Sequence, residues 1–114
     1  MSGITTHILD TSRGCPASDV LVVLEHRGAD GSHEELGRGV TDADGRLKTL
    51  LPAGAALRRG TYRLPFHTGA YFAHLATPGF YPEVTITFEV RDHEQHYHVP
   101  LLLNPYGYST YRGS

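Results

Sequence analysis

Histidine is the side chain best suited to proton transfer near neutral pH, and this chain of 114 residues carries eight. Two of them, His96 and His98, stand two apart in the run His96-Tyr97-His98-Val99-Pro100-Leu101-Leu102-Leu103. Side chains alternate faces along a strand. Tyr97, Val99, Leu101 and Leu103 therefore make a core face, and His96, His98, Pro100 and Leu102 make the other. The second face mixes apolar residues with histidines, which water alone does not favour, so a covering subunit or ligand is expected there. The chain then runs through Tyr106-Gly107-Tyr108-Ser109-Thr110-Tyr111-Arg112-Gly113-Ser114. A tail with aromatics, an arginine and a β-branched residue is expected to be held rather than frayed. Ser109, Tyr111 and Gly113 would share one face of it, and Tyr106, Tyr108, Thr110 and Arg112 the other. The rest of the chain reads as a frame that brings His7, Arg46 and His98 to this tail. Those residue types offer acid–base work by two imidazoles and a planar cationic donor fork for an oxyanion or carbonyl.

Each residue also has a plainer reading. His7 alone is a surface strand histidine, and Arg46 alone is a solvated turn residue. His93, His96 and His98 would be a zinc grouping, but no cysteine is near and the partners are all local, so no metal is expected. Asp42-Ala43-Asp44-Gly45 resembles the start of a calcium loop, yet its twelfth position is Ala53 instead of the bidentate glutamate. His26, His33, His67 and His74 read as scaffold or surface residues, and Tyr106 and Tyr108 as packing.

Length and composition fix the setting. The chain is expected to form a single domain, 1–114. Its net charge of −2 and lack of a basic run argue against nucleic acid. Cys15 is the single cysteine, so no internal disulfide framework is expected, in keeping with a reducing compartment. No apolar run is long enough to cross a bilayer, so no membrane partner is expected. Met1 to His7 shows neither a basic nor an apolar signal region, and the last residues are not a peroxisomal Ser-Lys-Leu. Both point to the cytoplasm.

Strand patterns lie at 4–10, 20–26, 36–41, 46–47, 61–67, 83–90 and 96–103 and in the tail. The 83–90 run alternates most cleanly, with Val84, Ile86, Phe88 and Val90 inward. Pro65 would push the 61–67 strand toward an edge or bulge. Residues 12–17, 27–34, 42–45 and 50–59 read as turns or loops, and 69–76 as the one helical piece. About eight short strands with frequent turn signals predict an all-β fold, an antiparallel β-sandwich with one short helix.

Three stretches carry a family resemblance. They are Thr5-Thr6-His7-Ile8-Leu9-Asp10 with Gly14-Cys15-Pro16-Ala17, then Thr41-Asp42-Ala43-Asp44-Gly45-Arg46, and His98 through Ser114 with its terminal Tyr-Arg-Gly-Ser. Over nearly its whole length the sequence resembles the transthyretin-like family, and within it the branch that hydrolyses 5-hydroxyisourate. The resemblance implies a transthyretin-like sandwich and a homotetramer, a dimer of dimers. The first, penultimate and last strands would line its central channel, narrowed by Tyr111. It implies hydrolysis of an acyl C–N bond of the small-molecule substrate, giving 2-oxo-4-hydroxy-4-carboxy-5-ureidoimidazoline between urate and allantoin, with no cofactor. His7, Arg46 and His98 would be catalytic, and Tyr111, Arg112, Gly113 and Ser114 would bind substrate. The alternative within the same family is a carrier that binds a small ligand without chemistry.

Overall fold

The computed structural model describes residues 3–114. In chain order the elements are β1 (Gly3–Asp10), β2 (Cys15–Pro16), β3 (Leu21–Arg27), β4 (His33–Val40), β5 (Arg46–Leu47), β6 (Gly60–Phe66), α1 (Thr68–His74), β7 (Val84–Val90), β8 (His96–Asn104) and β9 (Gly107–Thr110). They form two packed sheets. One has the order β2-β1-β8-β9, with β5 paired to β1; the other has the order β4-β3-β6-β7. This is the expected sandwich with one short helix. It has an extra two-residue strand at Cys15–Pro16, in a stretch that reads as loop. The 27–34 hairpin is also shorter than its polarity suggests, because β3 runs on to Arg27 and β4 begins at His33.

Alternation sets the core. Ile4 and Ile8 of β1 and Tyr97, Val99, Leu101 and Leu103 of β8 are buried against Val22, Leu24, Tyr62, Leu64 and Phe66 of the facing sheet. In β7 only Val84 and Val90 are fully buried, while Ile86 and Phe88 are half-buried. That strand is an edge, and its middle faces a gap between the sheets. The long loop between β5 and β6 sends Leu50 and Leu57 into the core. It crosses β4 so closely that a Cβ at Gly37 would strike the Leu50 carbonyl, which accounts for that glycine.

One pairing departs from the antiparallel expectation. β1 and β8 run parallel over their length, from Gly3 opposite His96 to Asp10 opposite Leu103. A parallel pair needs a long crossover, and here nearly all of the remaining chain supplies it.

Pro65 and Pro100 do not sit on edge strands. β6 lies between β3 and β7, so the edge expectation for Pro65 fails. The β3–β6 ladder pairs Val22 with Phe66 and resumes at Glu25 with Arg63, skipping the two positions between. A residue without an N–H is tolerated where the ladder is open. Pro100 in β8 repeats the device. The β8–β9 ladder stops at Leu101 with Thr110, and the next bridge in the same register is His98 with Gly113. The position opposite Pro100 would be Tyr111, and no N–H is available there. The Thr110 hydroxyl donates instead to the Pro100 carbonyl at 2.6 Å.

Candidate active site

The outer face of the β1–β8 sheet carries Thr5 and His7 from β1 and His96 and His98 from β8. The parallel register sets Thr5 beside His98. Arg46 joins them because β5 pairs back on β1 with Arg46 opposite His7. A turn delivers it. Asp42 Oδ1 accepts the backbone N–H of Asp44 at 2.9 Å and that of Arg46 at 3.0 Å, an Asx-type clasp. Gly45 follows with φ +74°, and a Cβ there would strike the Ile8 carbonyl. Its own carbonyl takes the Ile8 N–H at 2.8 Å. The Asp-x-Asp-Gly run that imitates a calcium loop thus uses its first carboxylate to shape the chain ahead of Arg46. The N–H of Arg46, then that of Asp44, hold the Asp42 carboxyl below its ordinary range, against some desolvation and with help from Lys48 and the Arg46 charge.

These residues open onto a shallow cavity of about 280 Å³. Arg46, His98 and Ser114 line it from the predicted set, with Thr5, Thr6, Lys48 and His96 as further walls. His7 is opposite Arg46 in the β1–β5 pairing and is not one of the lining residues. Burial, then the charges of Arg46, His7 and His96, pushes the His98 imidazole below its usual pKa. His98 is therefore mainly neutral at neutral pH and able to accept a proton.

The tail divides around His98. Gly113 donates its N–H to the His98 carbonyl at 2.8 Å, and a Cβ at Gly113 would come within 2.5 Å of His98 Cδ2. Glycine is required there so that the imidazole can lie against the backbone. Ser114 reaches the first cavity. Tyr111 and Arg112 line a second cavity of about 340 Å³, which His98 shares with Ile86 and Phe88 of β7. The Arg112 guanidinium sits 4.5 Å from the Tyr97 ring centroid, and its Nη2 donates to Gln95 Oε1 at 2.8 Å. Within one chain, then, His7, Arg46, His98, Gly113 and Ser114 come together. Tyr111 and Arg112 lie on the far side of the His98 ring. Tyr106 does not pack on the core: it is 69% exposed at the β8–β9 turn, and Tyr108, 42% exposed, meets Tyr81 edge to face.

Thr5 and Lys48 line the cavity although the motif reading gave them no role, and His96, weighed above only as a zinc ligand, lines it too. Thr5 Oγ1 lies 2.8 Å from His98 Nδ1 and 2.9 Å from His96 Nε2. The alternation that places Thr5 on the His7 face was legible. Its register against His98 was not, because it depends on pairing strands some ninety residues apart. Lys48, two positions after Arg46, could have been found by the same parity. No group of three or more His, Cys, Asp or Glu side chains among the described residues is arranged to hold a metal ion. No helix among them is long and apolar enough to cross a membrane.

The chain matches the family model of the HIUase/transthyretin family over residues 4–113. It is 49% identical over 111 residues to the 5-hydroxyisourate hydrolase of Salmonella dublin, covering 97% of this chain and 80% of that protein. The solved structure of Klebsiella pneumoniae 5-hydroxyisourate hydrolase is 41% identical and superposes with a TM-score of 0.86, covering 100% of this chain and 94% of that one. Sea bream transthyretin in complex with thyroxine superposes with a TM-score of 0.90 at 31% identity, covering 96% of this chain and 93% of that one.

Proposed function

The chain belongs to the HIUase/transthyretin family, and from that premise we propose that it is a hydrolase that opens the ring of 5-hydroxyisourate in the degradation of urate. The observation that carries the reading is the convergence of Arg46 and a neutral, proton-accepting His98 on one cavity, with His7 opposite Arg46. Fold alone does not separate hydrolase from carrier, since the thyroxine-bound transthyretin superposes equally well. The side chains favour the hydrolase.

Hydrolysis of an acyl C–N bond needs an activated water, a stabiliser for the tetrahedral oxyanion and a proton for the leaving nitrogen. His98 takes the proton from water. Burial first, and then the positive charge of Arg46, disfavour its charged form in the resting site and so keep its lone pair available. Arg46 is permanently charged and presents paired donors to the developing oxyanion. His7 returns a proton to the leaving nitrogen. Ser114 contributes a hydroxyl at the cavity wall, and Gly113 seats the His98 ring. The product is 2-oxo-4-hydroxy-4-carboxy-5-ureidoimidazoline, and no cofactor enters the scheme.

Tyr111 and Arg112 complete the site in a homotetramer whose channel is faced by β1, β8 and β9. Two features support that assembly. The free edges β7 and β9 both border the second cavity, and Tyr106, Tyr108 and Tyr111 remain exposed on the single chain.

The test is ultraviolet absorbance of 5-hydroxyisourate generated in place by urate oxidase. Protein-dependent decay faster than the protein-free control is expected, and it is expected to vanish when Arg112 to Ser114 are removed. A folded protein that leaves the spontaneous rate unchanged overturns the reading in favour of the carrier.

A further inference from the structure

Thr5 has one hydroxyl proton and stands between two imidazoles, 2.8 Å from His98 Nδ1 and 2.9 Å from His96 Nε2. A hydroxyl donates one hydrogen bond and accepts others, so the two contacts are not equivalent: it donates to one ring while accepting from the other. Two arrangements satisfy the distances. In the first, His98 Nδ1–H donates to Oγ1 and the hydroxyl donates to His96 Nε2, which leaves His98 Nε2 as a bare lone pair. In the second, every donor reverses, and His98 carries its proton on Nε2. The shared hydroxyl thus couples the tautomer of one ring to that of the other.

We infer that Thr5 is a positioning residue that links His98 to His96 as a proton relay, with His96 as its outer end. The inference rests on the hydrolase reading above. As His98 Nε2 takes a proton from water, its Nδ1 proton passes to Thr5 Oγ1, and the hydroxyl's own proton passes to His96 Nε2. One proton enters, one charge appears on His96, and His98 is neutral again. Reversal of the same three transfers restores the starting tautomer.

The surroundings give the relay its purpose. An imidazolium at His98 would face Arg46 on β5 and His7 on β1, with Lys48 on the same cavity wall. The elements packed against the ring add the Gly113 backbone and Ser114, and no Asp or Glu side chain is among the described residues that line the cavity. His96 is exposed at the rim, where water screens a charge far better than the half-buried position of His98 does. The lowered pKa of His98 agrees with an export route, since the site resists holding the charge there.

Thr5→Val keeps the shape and removes the hydroxyl, Thr5→Ser restores the hydroxyl, and His96→Phe removes the outer end. With 5-hydroxyisourate, Thr5→Val and His96→Phe should each lower kcat by about ten- to a hundredfold with KM within about twofold, the scale on which groups orienting a functional histidine act. Thr5→Ser should recover to within about threefold of the parent. Nitrogen-15 spectra of the ligand-free protein, which need no substrate, should show His98 mainly protonated on Nδ1 in the parent and redistributed toward Nε2 in Thr5→Val. An unchanged kcat in both Thr5→Val and His96→Phe overturns the relay. So does a Thr5→Ser variant as slow as Thr5→Val, or a His98 tautomer indifferent to the hydroxyl. If the parent itself fails to accelerate decay of the substrate, the hydrolase reading falls, and the spectra decide separately whether the hydrogen-bonded chain exists.

Discussion

At the scale of single residues, the site depends on where one imidazole and one guanidinium are held. His98→Ala should reduce turnover by about two to four powers of ten, the usual weight of a general base, while circular dichroism stays unchanged. Arg46→Lys should also lose most of the turnover, since a point charge does not reproduce two parallel donors; steady-state rates at saturating substrate check this. Gly113→Ala places a methyl against His98 Cδ2, so the ring must turn or the tail must lift. Turnover should fall although no functional group has been removed, and the His98 ring resonances should shift. Legibility at this scale was uneven. His7, Arg46 and His98 stood out by type and by the motifs around them. Thr5 did not, because a threonine on a strand has nothing to distinguish it until the strand beside it is known. The position of the Arg112 guanidinium over the Tyr97 ring within one chain was not legible either, because that neighbour is fixed by the fold rather than by the motif.

Elements matter here through their ends. Asp10 closes β1 and is fully buried. Burial raises its pKa, but the hydroxyls of Ser12 and Tyr71 and the backbone N–H groups of Arg13 and Ser12 outweigh that and hold the carboxyl below its ordinary range. Tyr71 of α1 donates to Asp10 Oδ2 at 2.7 Å. Desolvation, and then the Asp10 bond, push its phenol up to about 12. The pair ties the helix to the sheet. Tyr71→Phe should cost about 1.5–3 kcal/mol, the range for a hydrogen bond to a charged group, as a lower urea midpoint with an unchanged slope. The phenol also sets an alkaline limit. An unfolded tyrosine ionises near pH 10 and the folded one near 12, so this contribution is intact below about 10 and is lost as pH rises from there toward 12. Sequence patterns located nearly all of these elements, since alternation and turn residues are local signals. The parallel β1–β8 pairing and the interior places of Pro65 and Pro100 were not legible, because both depend on which strands become neighbours.

For the whole molecule, acid sensitivity follows from the same imidazole to which the proposed mechanism gives the base role. His98 resists protonation in the folded state, whereas in the unfolded chain it titrates near 6.5. Above that pH neither state is protonated and its effect on stability is flat. As pH falls below about 6.5 the unfolded chain binds a proton that the folded protein refuses, and stability declines until the folded pKa is passed. Urea midpoints should therefore be lower at pH 5.5 than at pH 7.5, and the difference should narrow in His98→Asn. Assembly belongs to this scale too. The exposed tyrosines near the β9 edge match the proposed tetramer, and charged replacements at Tyr106 and Tyr108 should lower the sedimentation coefficient while leaving the folded signal of each chain intact.

The parallel pairing of β1 with β8 has a kinetic side. Thr5 and His98 are 93 positions apart in the chain, so their contact closes one of the largest loops this fold contains. Closing such a loop forfeits entropy before the contact repays it, and folds rich in distant pairings are slow for that reason. The hairpins of the opposite sheet, β3–β4 and β6–β7, join strands close in sequence and can form without it. During refolding, far-ultraviolet signal should therefore recover ahead of catalysis, and the return of activity marks the moment at which the two ends of the chain meet.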